Sequence, residues 1–368
     1  MQTPILQFGT SRFLQAHALA YLQSGTPLSG PPIVTVVQSS GDASRRGRLD
    51  ALAAPGGYPV RVRGLEGGIP VEREEQVCVV QRGLVYDGDY PEVQRIFCHE
   101  ARWIISNTAD KGFDPQPADT LPGPDPAQSY PAKLFHLMQA RHLAGGGPLI
   151  LLPTELQARN GDKLRARVLQ IAEGQGADPG LMQALNAHIW ANSLVDRIVS
   201  EEIRPAGAVA EPYGLWAIED QPGLELPVSH PAIRVVADLE PYERLKLHIL
   251  NLGHTTLVDL WQRAGRPVPF VRQAMAGDLR AQLIGILRDE VVPGFSARGM
   301  GDQAAEYLAV TLDRFDNPFI DHRLSDIAQN HAAKADHRIG AFLTWAGLTP
   351  ATAPRLHQIS QSAKDIAP

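Results

Sequence analysis

The pattern of predicted secondary structure changes near residue 240, and this change constrains the fold more than any other feature of the chain. Before it, short apolar runs, such as residues 33–38, alternate with helical stretches, such as residues 129–143. Strands that alternate with helices in this way form a parallel sheet covered on both faces. Helices are also predicted over residues 12–22 and 43–52, and a β-hairpin or two edge strands over residues 58–63 and 76–81. From Pro241 onward the pattern is almost wholly helical, and the predicted helices include residues 241–264, 321–333 and 336–346. We therefore predict an α/β fold, with a parallel-sheet domain over residues 1–240 and a mostly α-helical domain over residues 241–368.

The composition excludes several classes of protein. The formal net charge of −6 comes without a basic stripe, so nucleic acid is not an expected partner. The two cysteines, Cys78 and Cys98, lack CxxC spacing, which argues against a disulfide framework and against a thiolate metal site. We find neither a secretory signal nor an apolar run of membrane-spanning length. We therefore expect a cytoplasmic protein with no membrane partner.

The turn between the first predicted strand and the first predicted helix has features of a dinucleotide-binding loop. Its sequence is Gly9-Thr10-Ser11-Arg12-Phe13-Leu14. Gly9 allows a tight turn, and the N-terminus of the following helix would attract a pyrophosphate. The match to G-x-G-x-x-G is partial, because Ser11 and Leu14 replace the second and third glycines. An ordinary strand-to-helix turn is the alternative, but the position at the start of a β-α-β run favours a Rossmann-like NAD(P)-binding domain.

The end of the second predicted strand leaves the choice between NAD and NADP open. Gln38 stands where an NAD-preferring fold often has an acidic residue for the ribose hydroxyls. Asp42 follows shortly, and so do Arg45 and Arg46. The two arginines could meet a 2′-phosphate or could form a solvated helix face.

Three polar residues near the start of the helical half are candidates for catalysis. On an α-helix, Lys246, Asn251 and His254 fall within an arc of about 140°. Their amine can move a proton to or from a carbonyl oxygen, while the amide and the imidazole can hydrogen-bond a developing alkoxide. Glu243 lies one turn before Lys246, where it could pair with the amine or exchange its proton with water. The alternative is a solvated lysine beside a structural histidine.

Seven motifs occur in one order along the chain. They are Ile5-Leu-Gln-Phe-Gly-Thr-Ser-Arg-Phe-Leu-Gln-Ala-His17, Ser106-Asn-Thr108, Ser129-Tyr-Pro-Ala-Lys-Leu134, Glu155-Leu with Asn160-Gly161, Leu194-Val-Asp-Arg-Ile-Val199, the helix with Lys246, Asn251 and His254, and Arg314-Phe-Asp-Asn-Pro-Phe-Ile-Asp-His322. Each is modest, but their shared order is specific. Together they resemble the mannitol dehydrogenase family, the polyol-specific long-chain dehydrogenases/reductases, over nearly the whole chain. Within it they are most similar to the tagaturonate reductase (altronate oxidoreductase) and fructuronate reductase branch.

The resemblance implies roles for the catalytic candidates. Lys246 would be the general acid/base, and Asn251 and His254 would orient and polarise the reacting oxygen. Glu243 would gate proton exchange between Lys246 and water, and Asp196 would support the site. The family members work without a metal, so none is expected here, and they range from monomers to small homo-oligomers.

The resemblance also implies binding residues. Those that would contact the dinucleotide, NAD or NADP, are Gly9, Ser11, Arg12, Phe13 and Leu14, with Gln38, Asn107 and Thr108. Lys334 matches a lysine that binds substrate in polyol-specific members.

Two departures argue against mannitol as the substrate. Polyol-specific members carry an asparagine at the position of Leu156 and an arginine at the position of Asp326. His322 and Arg323 are candidates for binding a substrate carboxylate instead, with a solvated pair beside a helix start as the alternative.

The resemblance implies a zinc-independent NAD(P)-dependent oxidoreductase that interconverts a keto-sugar acid and its hydroxy acid, as tagaturonate and altronate are interconverted. The alternative enzyme is a polyol or polyol-phosphate dehydrogenase of the mannitol/fructose type. A non-catalytic dinucleotide sensor is a third reading, and the presence of Lys246, Asn251 and His254 argues against it.

Overall fold

The computed structural model describes residues 2–39, 46–108 and 112–365, and the chain divides into two compact units. The first unit comprises Met1–Val62, Arg73–Ala210 and Gly214–Leu239. The second comprises Arg63–Glu72, Glu211–Tyr213 and Glu240–Pro368. Two short segments from the first part of the sequence therefore belong to the second unit.

The strands of the described residues belong to the first unit, apart from the tip of one hairpin. They are β1 (Ile5–Phe8), β2 (Thr26–Pro27), β3 (Val34–Gln38), β4 (Tyr58–Glu66), β5 (Ile69–Val77), β6 (Val80–Val85), β7 (Trp103–Ser106), β8 (Ile150–Pro153), β9 (Ile189–Trp190), β10 (Ser193–Asp196), β11 (Val199–Glu202), β12 (Ala208–Ala210), β13 (Leu215–Glu219), β14 (Val228–Ser229) and β15 (Ile233–Val236).

A six-stranded sheet organises the first unit, in the order β6-β3-β1-β7-β8-β9, and all of its pairs are parallel. Every side chain of its central strands is buried, because helices cover the sheet on both faces. Alternate residues feed two different cores: Ile5 and Ile105 pack in one, Leu6 and Ile104 in the other. The predicted α/β class with a Rossmann-like parallel sheet is confirmed.

The helices of the first unit cover this sheet. They are α1 (Arg12–Ala16), α2 (Ala18–Ser24), α3 (Arg46–Leu52), α4 (Tyr90–His99), α5 (Tyr130–Leu143), α6 (Asn160–Gly174) and α7 (Pro179–Ala187), with a 3-10 turn at Pro117–Thr120. The helix predicted over residues 12–22 is interrupted at His17, whose backbone leaves the helical region. The strand predicted over residues 76–81 is also wrong: β5 ends at Val77, and β6 begins at Val80 and joins the large sheet. Residues 43–45 of another predicted helix lie outside the described residues.

Three smaller sheets complete the strands. Their orders are β10-β13-β15, β11-β12-β4-β5 and β14-β2. The β4–β5 hairpin turns at Gly67 and Gly68, which both adopt positive φ as tight hairpin turns require.

The second unit is helical, as predicted, but it contains three π-helical segments. Its helices are α8 (Glu240–Leu245), α9 (Leu252–Arg263), α10 (Val271–Met275), α11 (Asp278–Ile286), α12 (Val292–Ser296), α13 (Gly301–Asp316), α14 (Leu324–Ile327), α15 (His331–Ala335), α16 (Ala341–Ala346) and α17 (Pro354–Asp365). The π segments are π1 (Lys246–Asn251), π2 (Leu287–Val291) and π3 (Asp336–Gly340). The single helix predicted over residues 321–333 is wrong, because α14 and α15 are separated by Asn330 at positive φ.

A buried ion pair fixes one of the two inserted segments within the second unit. Arg314 on α13 binds Glu211 at 2.8 Å, and the two side chains are 3% and 1% exposed. The Arg314 guanidinium also lies 4.6 Å from the ring centre of Tyr213. The hairpin tip is held similarly, since Asn317 Nδ2 donates to the Arg63 carbonyl at 3.2 Å.

Candidate functional site

The first group of candidate residues lies at the carboxyl edge of the six-stranded sheet. Phe8, Ser106 and Pro153 pair across β1, β7 and β8, so these three strands end level with one another. The residues that follow them therefore share one edge. In open parallel sheets this edge is where ligands bind.

Gly9 makes a turn at this edge that no other residue could make without strain. Its φ is +117°, and a Cβ there would lie 2.9 Å from the Asn107 carbonyl oxygen. Ser11 then caps α1, because its hydroxyl accepts a hydrogen bond from the Leu14 N–H at 3.2 Å. The same hydroxyl donates to Asn107 Oδ1 at 3.2 Å. The structure thus brings together Gly9, Ser11 and Asn107 from two separate motifs.

Asn107 and Thr108 are tied in turn to the end of β8. Asn107 Nδ2 donates to the Thr154 carbonyl at 2.9 Å. Glu155 Oε1 accepts the Thr108 N–H at 3.0 Å and its hydroxyl at 3.3 Å, and Glu155 Oε2 accepts the Ser106 hydroxyl at 3.2 Å. Glu155 is only 3% exposed, and this burial raises the pKa of its carboxyl despite the hydrogen bonds it accepts. Glu155, which follows β8, is therefore hydrogen-bonded to Ser106 and Thr108 at the end of β7.

The other dinucleotide candidates, Arg12, Phe13, Leu14 and Gln38, differ in their environment. Leu14 is fully buried in the core, and Phe13 stacks on His17 with ring centres 4.6 Å apart. Arg12 is exposed. Gln38 is buried at the end of β3, and its carbonyl accepts the Tyr86 N–H at 3.0 Å.

The arginines considered for a 2′-phosphate are only partly described. Asp42 and Arg45 lie outside the described residues. Arg46 begins α3, with its guanidinium 3.9 Å from the Asp89 carboxylate.

Asp196 also belongs to the first unit. It is buried at the end of β10 and pairs with Leu215 on β13. Its neighbour Arg197 donates a hydrogen bond to the Ala16 carbonyl, at the end of α1. Asp196 therefore lies on a strand that is connected to the first helix of the unit.

The second group of candidates lies on the helix that runs from α8 through π1 to α9. Lys246 begins π1, Asn251 ends it, and His254 lies in the first turn of α9. The prediction of an uninterrupted α-helix is wrong here. A π turn closes through i→i+5 hydrogen bonds, so it changes the angle between Lys246 and Asn251 from the value expected for an α-helix, and such turns occur frequently at functional sites.

His254 is held between two aromatic rings. It is 7% exposed, and its ring centre lies 4.3 Å from that of Phe315 and 5.0 Å from that of His322. A Cβ on Gly253 would lie 3.2 Å from two atoms of the Phe315 ring, which explains the glycine inside this helix. The structure therefore brings a candidate substrate residue, His322, against a candidate catalytic residue.

Lys334 and Arg323 have separate surroundings. Lys334 Nζ donates to the Ile327 carbonyl at 2.8 Å, and burial lowers the pKa of its amine. Burial also lowers the pKa of His322, with Lys334 acting in the same direction and Asp326 opposing it. Arg323 is exposed, and its guanidinium lies 5.2 Å from the ring centre of Phe270.

Three functional candidates were missed by the sequence reasoning. Glu155 belongs to the Glu155-Leu motif and Phe315 to the motif that begins at Arg314, but the sequence assigned neither a role. Arg338 belongs to a predicted helix and was not a candidate. Arg338 donates hydrogen bonds to the Asn251 carbonyl at 3.3 Å and to the Thr255 hydroxyl at 3.1 Å. The contacts that give these residues their importance join distant parts of the sequence, so no local pattern marks them.

No metal site is found in the part of the chain that the structure describes, residues 2–39, 46–108 and 112–365. It contains no group of three or more histidine, cysteine, aspartate or glutamate side chains placed to hold a metal ion. In the same ranges no helix has the length and apolar character needed to cross a bilayer.

Comparison with known proteins gives consistent matches along the chain. A family model described as the mannitol dehydrogenase Rossmann domain matches residues 4–228, and one described as the mannitol dehydrogenase C-terminal domain matches residues 238–347. The altronate oxidoreductase of Bacillus subtilis (strain 168) is 31% identical over 358 residues, covering 90% of this chain and 72% of that protein. That of Escherichia coli O1:K1 / APEC is 30% identical over 365 residues, covering 91% and 73%.

Two solved structures share the fold. A substrate-free D-sorbitol dehydrogenase superposes with a TM-score of 0.82 at 17% identity, covering 99% of this chain and 80% of that one. The mannitol 2-dehydrogenase of Pseudomonas fluorescens, solved with NAD and D-mannitol, superposes with a TM-score of 0.71 at 18% identity, covering 99% and 79%.

Proposed function

We propose that this chain interconverts a keto-sugar acid and its hydroxy acid with a nicotinamide dinucleotide. The chain belongs to the mannitol dehydrogenase family of oxidoreductases, which act on CH–OH groups. The proposed pair is of the tagaturonate/altronate kind. The observation that supports this chemistry is the arrangement of three polar groups on one helix. The Lys246 amine lies at the start of the π turn, the Asn251 amide at its end, and the buried His254 imidazole in the helical turn that follows. The sugar-acid class is supported by the similarity to two altronate oxidoreductases.

The residues at the sheet edge fit a nicotinamide dinucleotide. Gly9 keeps the first turn compact, and the Ser11–Asn107 hydrogen bond ties that turn to the neighbouring strand. Gly9, Ser11, Asn107 and Thr108 would hold the dinucleotide, which when bound supplies or accepts a hydride. The described residues leave NAD and NADP as equal candidates.

Lys246 is the proposed general acid in the direction of ketone reduction. Its ammonium group would give a proton to the carbonyl oxygen of the ketone, and in the reverse direction its amine would take the proton from the hydroxyl group. A positioned acid/base of this kind contributes about 10²- to 10⁴-fold to the rate. Glu243, one turn earlier on the same helix, is proposed to return the proton to water.

Asn251 and His254 are proposed to stabilise the alkoxide. Each can donate one N–H to the same oxygen, and loss of one such donor typically lowers kcat by about 10²- to 10³-fold. The Phe315 and His322 rings restrict the orientation of His254, so its donor is preorganised. No metal is invoked, because the lysine supplies the proton.

The substrate carboxylate is proposed to bind the cationic side chains of Lys334 and Arg323 in the second unit, with the neutral His322 imidazole as a further hydrogen-bonding group. Lys334 Nζ donates to the Ile327 carbonyl, and the His322 ring lies against that of His254. Leu156 of the first unit is 72% exposed, and the polyol-specific members that the chain resembles carry an asparagine at this position. Its apolar side chain lacks the amide that would bind a polyol hydroxyl.

A substrate panel tests the proposal. Oxidation of NADH and of NADPH is followed by absorbance with tagaturonate, fructuronate, fructose and fructose phosphate. Turnover of a keto-sugar acid at a kcat/KM at least tenfold above that of fructose is expected. Turnover confined to fructose or its phosphate would replace the substrate class, and binding of NADH without turnover of any compound would favour the dinucleotide-sensor reading.

A further inference from the structure

Two π segments of the second unit bind each other reciprocally. His248, inside π1, contacts the carbonyl oxygen of Arg338 through Nδ1 at 3.0 Å. Arg338, inside π3, donates through its guanidinium to the carbonyl oxygen of Asn251 at 3.3 Å, at the end of π1. Each segment therefore supplies one side chain to the backbone of the other. The carbonyl can only accept, so Nδ1 of His248 carries a proton.

Two side-chain donors converge on the Asn251 carbonyl. The Thr255 hydroxyl donates to it at 3.0 Å, and the Arg338 guanidinium also donates to the Thr255 hydroxyl at 3.1 Å. The three groups form a closed triangle at the junction between π1 and α9. Hydrogen bonds from a charged donor are stronger than those between neutral groups, so Arg338 makes the strongest contribution to this triangle.

A π turn is rare and places one additional residue within a helical turn. We therefore expect side-chain contacts to keep it in place. Without a fixed junction, the additional residue could move along the helix and return residues 246–251 to α-helical geometry. Lys246 and Asn251 would then change their relative angle about the helix axis. A change of this kind at a catalytic group has large consequences, since a misplacement of about 1 Å can reduce turnover about 10²-fold.

We propose that Arg338 is a positioning residue that holds the end of π1 at Asn251 and thereby sets the relative orientation of Lys246, Asn251 and His254. The catalytic part of this inference rests on the proposed function. The structural part, that Arg338 stabilises π1, stands on the hydrogen bonds alone.

The test compares Arg338→Met with a matched control, Arg288→Met. Arg288 is an exposed arginine inside a different π segment, Leu287–Val291, so its replacement changes charge and side-chain length in the same way. Three quantities are measured on the full-length protein: kcat and KM for the substrate that the wild type reduces, the NADH dissociation constant, and amide hydrogen exchange of residues 246–256.

Arg338→Met is expected to lower kcat at least tenfold and to speed exchange in residues 246–256 at least tenfold. A loss of this size corresponds to one hydrogen bond from a charged donor. The NADH dissociation constant should stay within about twofold of the wild-type value, because the dinucleotide candidates lie in the other unit. Arg338→Lys should recover part of both losses, and Arg288→Met should match the wild type throughout.

Unchanged exchange of residues 246–256 in Arg338→Met would overturn the inference, whatever the activity. Faster exchange with an unchanged kcat on an active substrate would overturn its catalytic part. If the wild type reduces no compound of the panel, the proposed function fails while the exchange measurement still decides the structural part. If Arg338→Met does not fold, Arg338→Gln is measured instead, and wild-type kcat and exchange in that variant would refute the positioning role.

Discussion

Glu155 accepts both the backbone N–H and the hydroxyl of Thr108 through a single carboxylate oxygen, at 3.0 and 3.3 Å. Thr108, the second residue after β7, is thereby fixed by Glu155, the second residue after β8. Because the carboxyl is buried and its pKa is raised above the ordinary value of 4.5, this contact has a pH dependence that can be measured.

The stability of the protein should reflect the raised pKa of Glu155. The folded state binds the proton more tightly than the unfolded state, so the favourable contribution of protonated Glu155 is complete below pH 4.5 and is lost as pH rises through the folded-state pKa. Glu155→Gln removes this dependence. The unfolding free energy of the wild type minus that of Glu155→Gln, from urea titrations at several pH values, should fall as pH rises from 4.5. A difference that is flat or rises would contradict the assignment.

Lys246→Ala should lower turnover strongly and leave dinucleotide binding intact. The expected loss in kcat is about 10²- to 10⁴-fold, the range for a positioned acid/base. NADH binding is followed by fluorescence, and Lys163→Ala is the matched control, since Lys163 is an exposed lysine on α6. Turnover retained within tenfold of the wild type would remove Lys246 from its proposed role.

Gly253→Ala should impair catalysis by displacing either Phe315 or His254. The new Cβ would lie 3.2 Å from the Phe315 ring, and overpacking of this kind costs about 1–3 kcal/mol. The gain in helix propensity, about 1 kcal/mol, offsets only part of that cost. We expect kcat to fall about tenfold, as for the loss of about 1.4 kcal/mol of transition-state stabilisation.

A second glycine provides the control for this substitution. Gly47 lies on α3, and a Cβ there would have no neighbour within 4 Å. Gly47→Ala should therefore raise the unfolding free energy by up to about 1 kcal/mol without changing kcat. Equal effects of the two substitutions on kcat would show that the Phe315 contact is unimportant.

Glu211→Gln should destabilise the protein strongly, because it leaves the buried charge of Arg314 without its partner. Breaking one side of a buried pair costs about 3–5 kcal/mol, whereas an exposed pair contributes about 0–1 kcal/mol. Asp162→Asn, which breaks the exposed ion pair with Arg159, is the control. Urea unfolding should show that Glu211→Gln is less stable than the double variant Glu211→Gln/Arg314→Met, and the opposite order would contradict the buried-pair interpretation.

The parallel sheet could be predicted from sequence because its physical signal is local. Strands such as β1 and β3 are short runs in which every side chain is buried, and they are separated by helical periodicity. The turn at Gly9 could be predicted for the same reason, since positive φ favours glycine.

The π turn at Lys246 could not be predicted in this way. The residues of π1, Lys246-Leu-His-Ile-Leu-Asn251, have ordinary helical composition. Their geometry is accompanied by contacts with Arg338, nearly ninety residues later in the sequence. The assembly of Ser106, Thr108 and Glu155 has the same character, because it depends on which strands become neighbours.

The ion pair between Arg314 and Glu211 also has a consequence for engineering by exchange of gene segments. A chimaera that takes residues 241–368 from one relative and the preceding sequence from another would inherit the arginine and its carboxylate from different parents. The same holds for Asn317 and the Arg63 carbonyl that it binds. A crossover at a single position near residue 240 would therefore combine contact partners from two different parents. Exchanges intended to change substrate preference should transfer Arg63–Glu72 and Glu211–Tyr213 together with the helical half.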